Sequence, residues 1–165
     1  MRKSGNLTLA TPTDREIAMI RVFAAPRGLI FDAYTRPDLL QLWFGPPGWS
    51  LAVCEVDLRV GGAYRFVWRG SDGTEMGLRG IYREIAPPER LVSTETFDDP
   101  WYPGEAVSTL VLTGQGGSTT LTNTILYGSK EIRDGVLQSS MEHGVAATYD
   151  RLAELSASIL AEGTV

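Results

Sequence analysis

The feature that most constrains this chain is a set of six strand-like segments in its middle. From residue 50 onward, apolar and polar side chains alternate with a period of two, which is typical of half-buried strands. Turn-forming sequences such as VGG, SDG, APPE and GQGGS separate the segments. We therefore expect neighbouring strands to pair as an antiparallel meander. The segments lie at 51–58, 63–70, 76–85, 90–97, 106–114 and 119–127.

The segments on either side of this meander have other patterns. The apolar run IAMIRVF at 17–23 predicts one more strand. Pro26 and Pro37 stand where helices can begin, and each is followed by a short stretch that predicts a helix. Residues 129–160 carry apolar side chains at a spacing of three and four, which predicts one long amphipathic helix.

This order predicts an α+β fold, in which a seven-stranded antiparallel sheet curves around a long C-terminal helix. One helix presents too few side chains to fill the concave face of such a sheet. We therefore expect an internal space, closed at one end by the two short helices and the loop LWFGPPGWS at 42–50. Residues 1–13 are expected to be a flexible lead-in, 14–160 a single domain and 161–165 a tail.

Composition excludes several classes of function. The 165 residues carry a net charge of −5 and scattered basic side chains, which argues against a nucleic-acid partner. Cys54 is the only cysteine and His143 the only histidine, so neither a disulfide within the chain nor a typical zinc site is expected. We predict no metal and no cofactor. The N-terminus has no long apolar stretch, which predicts a cytoplasmic protein without a membrane partner.

Aromatic side chains are the strongest candidates for a binding site. In AYRFVWRG, alternation places Tyr64, Phe66 and Trp68 on one face of a strand. They form either a packed core or the wall of a pocket. Gly144 lies on the apolar stripe of the terminal helix, where a glycine leaves space for a neighbour. The predicted pocket lining is Trp43, Phe66, Trp68, Met76, Tyr82, Trp101, Met141 and Gly144.

One acidic side chain is predicted to join this lining. Glu95 shares a strand face with Leu91, Ser93 and Phe97, so it could orient a ligand or act as an acid or base if that face is buried. The alternative is that this face meets solvent. Trp49 could close the pocket or contact a second subunit, so a homodimer is also predicted.

Five motifs give the chain a family resemblance. They are YTRPDLLQLWFGPPG, VDLRVGGAYRF, DGTEMGLRGIYREIAPPERLV, TETF and MEHGVAATYDRLAEL. In this order they resemble the family of the C-terminal domain of the heat-shock-protein ATPase activator, a branch of the START-like SRPBCC superfamily. The resemblance covers residues 15–156 and implies the helix-grip fold. Members of this fold bind varied hydrophobic small molecules, and some are enzymes.

Three functions follow from these observations and the resemblance. The first is the binding of a small apolar molecule between the terminal helix and the sheet. The second is an enzyme of the cyclase or hydrolase type on the same scaffold, with Glu95 as its base. The third is a protein-interaction module that resembles a co-chaperone.

Overall fold

A computed structural model describes residues 2–99, 102–139 and 141–163. Within them the chain forms one antiparallel sheet of nine strands, together with four helices. The strands are β1 (Arg2–Ser4), β2 (Leu7–Ala10), β3 (Glu16–Phe23), β4 (Trp49–Val56), β5 (Ala63–Gly70), β6 (Glu75–Ala86), β7 (Arg90–Phe97), β8 (Ala106–Gln115) and β9 (Ser118–Leu126). The helices are α1 (Arg27–Thr35), α2 (Pro37–Trp43), α3 (Lys130–Gln138) and α4 (Glu142–Gly163).

The sheet confirms the predicted meander. Its strand order is β1-β2-β3-β9-β8-β7-β6-β5-β4, so β4 to β9 lie side by side in chain order. The predicted strand at 17–23 pairs along its whole length with β9, where Ile17 faces Ile125. This pairing brings the beginning of the domain against the end of the meander.

Two irregularities in the pairing bend the sheet. The register shifts between Leu51 and Val53 in β4, and again between Tyr82 and Glu84 in β6. Each extra residue bends its strand and increases the local twist. The resulting curvature gives the sheet a concave face, on which the core and the candidate site lie.

The prediction of seven strands was wrong, because residues 1–13 are not wholly a loose lead-in. Residues 2–10 contain β1 and β2, joined at Gly5 and Asn6, and Gly5 has a φ of 59° that suits a tight hairpin. Leu7 and Leu9 alternate into the core at 0% and 2% exposure. Burial of these two leucines is the physical reason that so short a hairpin adds to the sheet.

The helical segment predicted at 129–160 is divided into α3 and α4. The Ser129 side chain accepts a hydrogen bond from the Ile132 backbone N–H and so caps the start of α3. At the other end, both the backbone N–H and the hydroxyl of Ser139 donate to the Val136 carbonyl. A serine that bonds locally in this way competes with continuation of the helix. α4 then runs to Gly163, beyond the predicted end of the domain.

Apolar side chains from the helices and from the concave face of the sheet form one core. Leu152 of α4 and Leu40 of α2 are almost fully buried, as are Leu112 and Leu121 of the sheet. α1 and α2 pack against α4, and Tyr34 donates a hydrogen bond to Tyr149 over 2.9 Å. The packing is incomplete beneath the first turns of α4.

Candidate functional site

A pocket of about 330 Å³ lies between α4 and the concave face of the sheet. Its wall is mostly apolar and strongly aromatic. The residues that line it come from α1, α2, α4, strands β3 and β5 to β9, the loop after α2, and the segments before β8, after β9 and before α4. They include Met19, Tyr34, Phe44, Tyr64, Phe66, Trp68, Met76, Leu78, Tyr82, Leu91, Glu95, Phe97, Tyr102, Asn123, Tyr127, Met141, Gly144, Val145 and Tyr149.

Strands β5 and β6 form the aromatic wall. Tyr64, Phe66 and Trp68 are each about 5% exposed and line the pocket, as their alternation along the strand predicts. Met76 and Tyr82 line it from β6. The Phe66 ring lies 4.9 Å from that of Tyr64 and 5.3 Å from that of Phe44, between ring centroids. This wall offers broad apolar contact and few polar atoms.

Helix α4 covers the pocket with an uneven face. Met141, just before the helix, and Val145 within it both line the space. Gly144 also lines it, and a β-carbon placed there would have no heavy atom within 4 Å outside its own helix and chain neighbours. The Gly144 carbonyl accepts a hydrogen bond from the Thr148 hydroxyl at 2.8 Å. Gly144 therefore borders the pocket and leaves open space at its β-carbon position.

The loop after α2 closes one end of the pocket. Phe44, Gly45 and Pro46 all line it. The Trp68 indole N–H donates to the Phe44 carbonyl at 2.8 Å, and the Arg151 guanidinium donates to the Gly45 carbonyl at 2.7 Å. Gly45 has a φ of 127°, and a β-carbon there would lie 2.7 Å from Trp68 Cδ1, so only glycine fits. The loop is thus held by the wall and by α4 together.

Trp43 belongs to the predicted lining but packs elsewhere. Trp43 is fully buried but does not line the pocket: its indole N–H donates to the Ala33 carbonyl at 3.0 Å, and its ring packs 5.0 Å from that of Tyr34. Trp43 therefore packs between α2 and α1 and supports the pocket wall from behind. Trp101 lies outside the described residues. The other predicted lining residues all border the pocket.

Glu95 gives the pocket one acidic side chain. It lies on β7 with Leu91, Ser93 and Phe97, and all four line the pocket, so this face of the strand is turned toward the pocket. Among the described residues, none donates a hydrogen bond to its carboxyl group. Part of its surface borders the pocket, but protein surrounds the carboxyl, and this burial raises its pKa to about 7.

A group of tyrosines near Glu95 was missed by the sequence analysis. Burial raises the pKa of Tyr149 to about 12, and it also raises the pKa values of the other four. The charge of Glu95 raises all five further, so every one of them lies within its electrostatic reach. These tyrosines are Tyr34, Tyr64, Tyr102, Tyr127 and Tyr149. Two of them had a sequence signal: Tyr64 alternates with Phe66 and Trp68 along β5, and Tyr149 follows Met141 and Val145 at helical spacing.

Other kinds of site find less support in the described part of the chain. His143 is exposed, and no three residues among the described histidines, cysteines, aspartates and glutamates are grouped so that they could hold a metal ion. Burial raises the pKa of the Cys54 thiol to about 11, which makes it a poor nucleophile. None of the helices in the described ranges combines the length and the apolar character needed to span a membrane.

Comparison with known families identifies the chain. Residues 24–157 match the model of the family described as Activator of Hsp90 ATPase homolog 1-like protein. The chain belongs to this family. The match covers most of the sheet, the pocket and α4, and it confirms the resemblance that the five motifs indicate. No curated protein matches the chain.

Solved structures agree with this assignment to the Hsp90 ATPase activator-like family. A protein from Rhodobacter sphaeroides is 31% identical, with a TM-score of 0.88 over 93% of this chain and 99% of its own. One from Nitrosomonas europaea is 25% identical, with a TM-score of 0.80 over 92% and 99%. A protein of the same family from Silicibacter pomeroyi, at 20% identity and a TM-score of 0.70 over 86% and 97%, shares the fold.

Proposed function

We propose that this protein binds a small, largely apolar molecule in the pocket between α4 and the sheet. The observation that carries the proposal is the pocket itself, whose volume of about 330 Å³ falls in the range of small-molecule sites. Protein interiors are normally packed to crystal-like density. A sequence that leaves this space, and places Gly144 beside it, is consistent with a site kept open for a guest.

The expected strength of binding follows from the apolar wall. A guest that loses about 300 Å² of apolar surface gains about 7.5 kcal/mol at 25 cal/mol per Å². Part of this gain offsets the lost freedom of the guest. Since about 7.5 kcal/mol alone corresponds to a dissociation constant of about 3 μM, this loss places the expected dissociation constants of molecules that fit well between tens of micromolar and the millimolar range.

Substitution at Gly144 tests the proposal. Open space at its β-carbon position means that Gly144→Ala adds one methyl group without a clash, whereas Gly144→Phe directs a ring into the pocket. We expect the wild type and Gly144→Ala to bind the neutral fluorescent probe N-phenylnaphthylamine and Gly144→Phe to lose binding. Circular dichroism checks that both variants remain folded. Equal probe binding by all three proteins would overturn the proposal.

A second candidate function is supported by one observation, the raised pKa of Glu95. A carboxyl group with a pKa of about 7 can both take and give a proton at neutral pH, as a general acid or base must. The same pocket would then hold a substrate. This candidate predicts that Glu95→Gln abolishes turnover but leaves binding of the apolar part of the substrate in place.

The sequence also predicts a homodimer and a cytoplasmic location. Trp49 is half-buried, and its ring lies against Gly70 of the neighbouring strand β5. We propose that its remaining exposed surface contributes to a contact between two copies. Sedimentation of the wild type and of Trp49→Ala would test this, because a dimer held by this contact should dissociate in the variant.

A further inference from the structure

Among the described lining residues, Glu95 has no cationic partner. None of the described residues that line the pocket is a lysine, an arginine or a histidine. The hydroxyl groups of two nearby tyrosines donate elsewhere, Tyr34 to Tyr149 at 2.9 Å and Tyr64 to the Thr94 carbonyl at 2.5 Å. A buried carboxylate without a counter-charge is costly. A ligand could supply the missing charge.

Aromatic rings line the same pocket as this carboxylate. The five tyrosines come from α1, β5, the segment before β8, the residue after β9, and α4, and the charge of Glu95 raises the pKa of each. The face of an aromatic ring attracts a cation, and rings gathered around an acidic group are typical of sites for organic ammonium ions. Each phenol keeps its proton at neutral pH, because burial and the charge of Glu95 raise its pKa.

The acidic character of this lining also argues against an anionic ligand. An anionic ligand would face the Glu95 carboxylate with no basic side chain in the described lining to balance it. The net charge of −5 also favours the approach of cations over anions. A neutral hydroxyl group could still bond to Glu95, but it would leave the charge unbalanced.

We propose that the ligand of this pocket carries one positive charge, as a protonated amine, at the end of an apolar body, and that the Glu95 carboxylate pairs with it. This inference rests on the proposed function of the pocket and names its ligand class. The apolar body lies against Phe66, Trp68 and Met76, and the ammonium group lies among the tyrosines beside Glu95.

A pair of probes with one apolar body tests the charge. Phenylbutylamine and phenylbutanol differ only in the terminal group, and calorimetric titration gives the dissociation constant of each. With the pKa of Glu95 at about 7, about ten elevenths of the carboxyl groups are ionised at pH 8 and about one eleventh at pH 6. The affinity for the amine should therefore fall about tenfold from pH 8 to pH 6. The affinity for the alcohol should not fall.

Substitution of the carboxylate separates its charge from the rest of the pocket. Glu95→Gln should weaken binding of the amine at pH 8 by at least about tenfold and remove its pH dependence, while binding of the alcohol stays. Glu154→Gln is the matched control, because Glu154 is an exposed carboxylate of α4 that does not line the pocket. It removes the same charge from the protein and should leave both probes unaffected.

The possible outcomes distinguish this inference from the function on which it rests. If the alcohol binds the wild type as tightly as the amine, or if Glu95→Gln weakens both probes equally, the cationic ligand is refuted and the apolar pocket stands. If phenylbutyrate, the anion of similar size, binds the wild type more tightly than phenylbutylamine does, the cationic ligand is also refuted. If no probe binds at any pH, both the inference and the proposed function fall.

Discussion

Replacement of Glu95 by glutamine should stabilise the protein at neutral and alkaline pH, but not at acidic pH. Burial raises the pKa of this carboxyl from an ordinary 4.5 to about 7. One pKa unit corresponds to about 1.4 kcal/mol, so the ionised side chain costs the folded state about 3 kcal/mol relative to the unfolded chain. Glutamine has nearly the same shape but no charge, and it avoids this cost.

The sign of the pH dependence follows from which state holds the proton. Between pH 4.5 and about 7, the folded protein keeps the Glu95 proton that the unfolded chain has lost. The contribution of Glu95 to stability is therefore full below pH 4.5 and falls as pH rises through this window. The difference between Glu95→Gln and the wild type should grow from near zero around pH 4 to about 3 kcal/mol above pH 8.

Urea unfolding across this pH range measures the difference. Thermal unfolding provides a second measurement: for a chain of this length, about 3 kcal/mol corresponds to a rise in melting temperature of about 6–12 °C. Glu154→Gln, which replaces an exposed carboxylate, is the control and should follow the wild type at every pH. A difference between Glu95→Gln and the wild type that is constant from pH 5 to pH 8 would refute the conclusion that burial raises the pKa of this carboxyl group.

Three further predictions concern contacts that support the structure around the pocket. Gly80→Ala should lower the free energy of unfolding by about 2 kcal/mol in urea titration, because its β-carbon would lie 1.9 Å from the Thr94 carbonyl oxygen. Trp43→Phe should cost about 2 kcal/mol by the same assay, since it leaves the Ala33 carbonyl unpaired, yet probe affinity should not change because Trp43 does not line the pocket. Arg151→Gln should speed amide hydrogen exchange in the loop after α2 by at least about tenfold, because the guanidinium ties the Gly45 carbonyl of the loop and the Leu42 carbonyl of α2 to α4. Unchanged stability in the first two variants, or unchanged exchange in the third, would count against these contacts.

The sheet could be predicted from the sequence because its signals are local. A period of two over eight or more residues, with turn-forming residues between the segments, sets both the pairing of neighbours and the face that each side chain takes. Phe66, Trp68, Met76 and Glu95 were placed in the pocket for this reason. The hairpin of β1 and β2 was not predicted, because each of its strands has four residues or fewer, too few for alternation to show.

The polar end of the pocket could not be predicted in the same way. Its tyrosines come from five separate parts of the chain, and they meet only because the sheet curves and α1 packs against α4. Trp43 illustrates the same limit. Helical periodicity correctly predicts that Trp43 is buried, but it cannot distinguish the pocket from the contact between the two short helices.

The most direct test of the account is an NMR measurement of where an apolar molecule binds. Met19, Met76 and Met141 line the pocket from β3, from β6 and from the segment just before α4. With isotope-labelled methionine methyl groups, phenylbutanol should give nuclear Overhauser contacts to all three methyl groups, and these contacts should disappear in Gly144→Phe. Saturable binding without contact to these methyl groups, or no binding at all, would contradict a ligand site between α4 and the sheet.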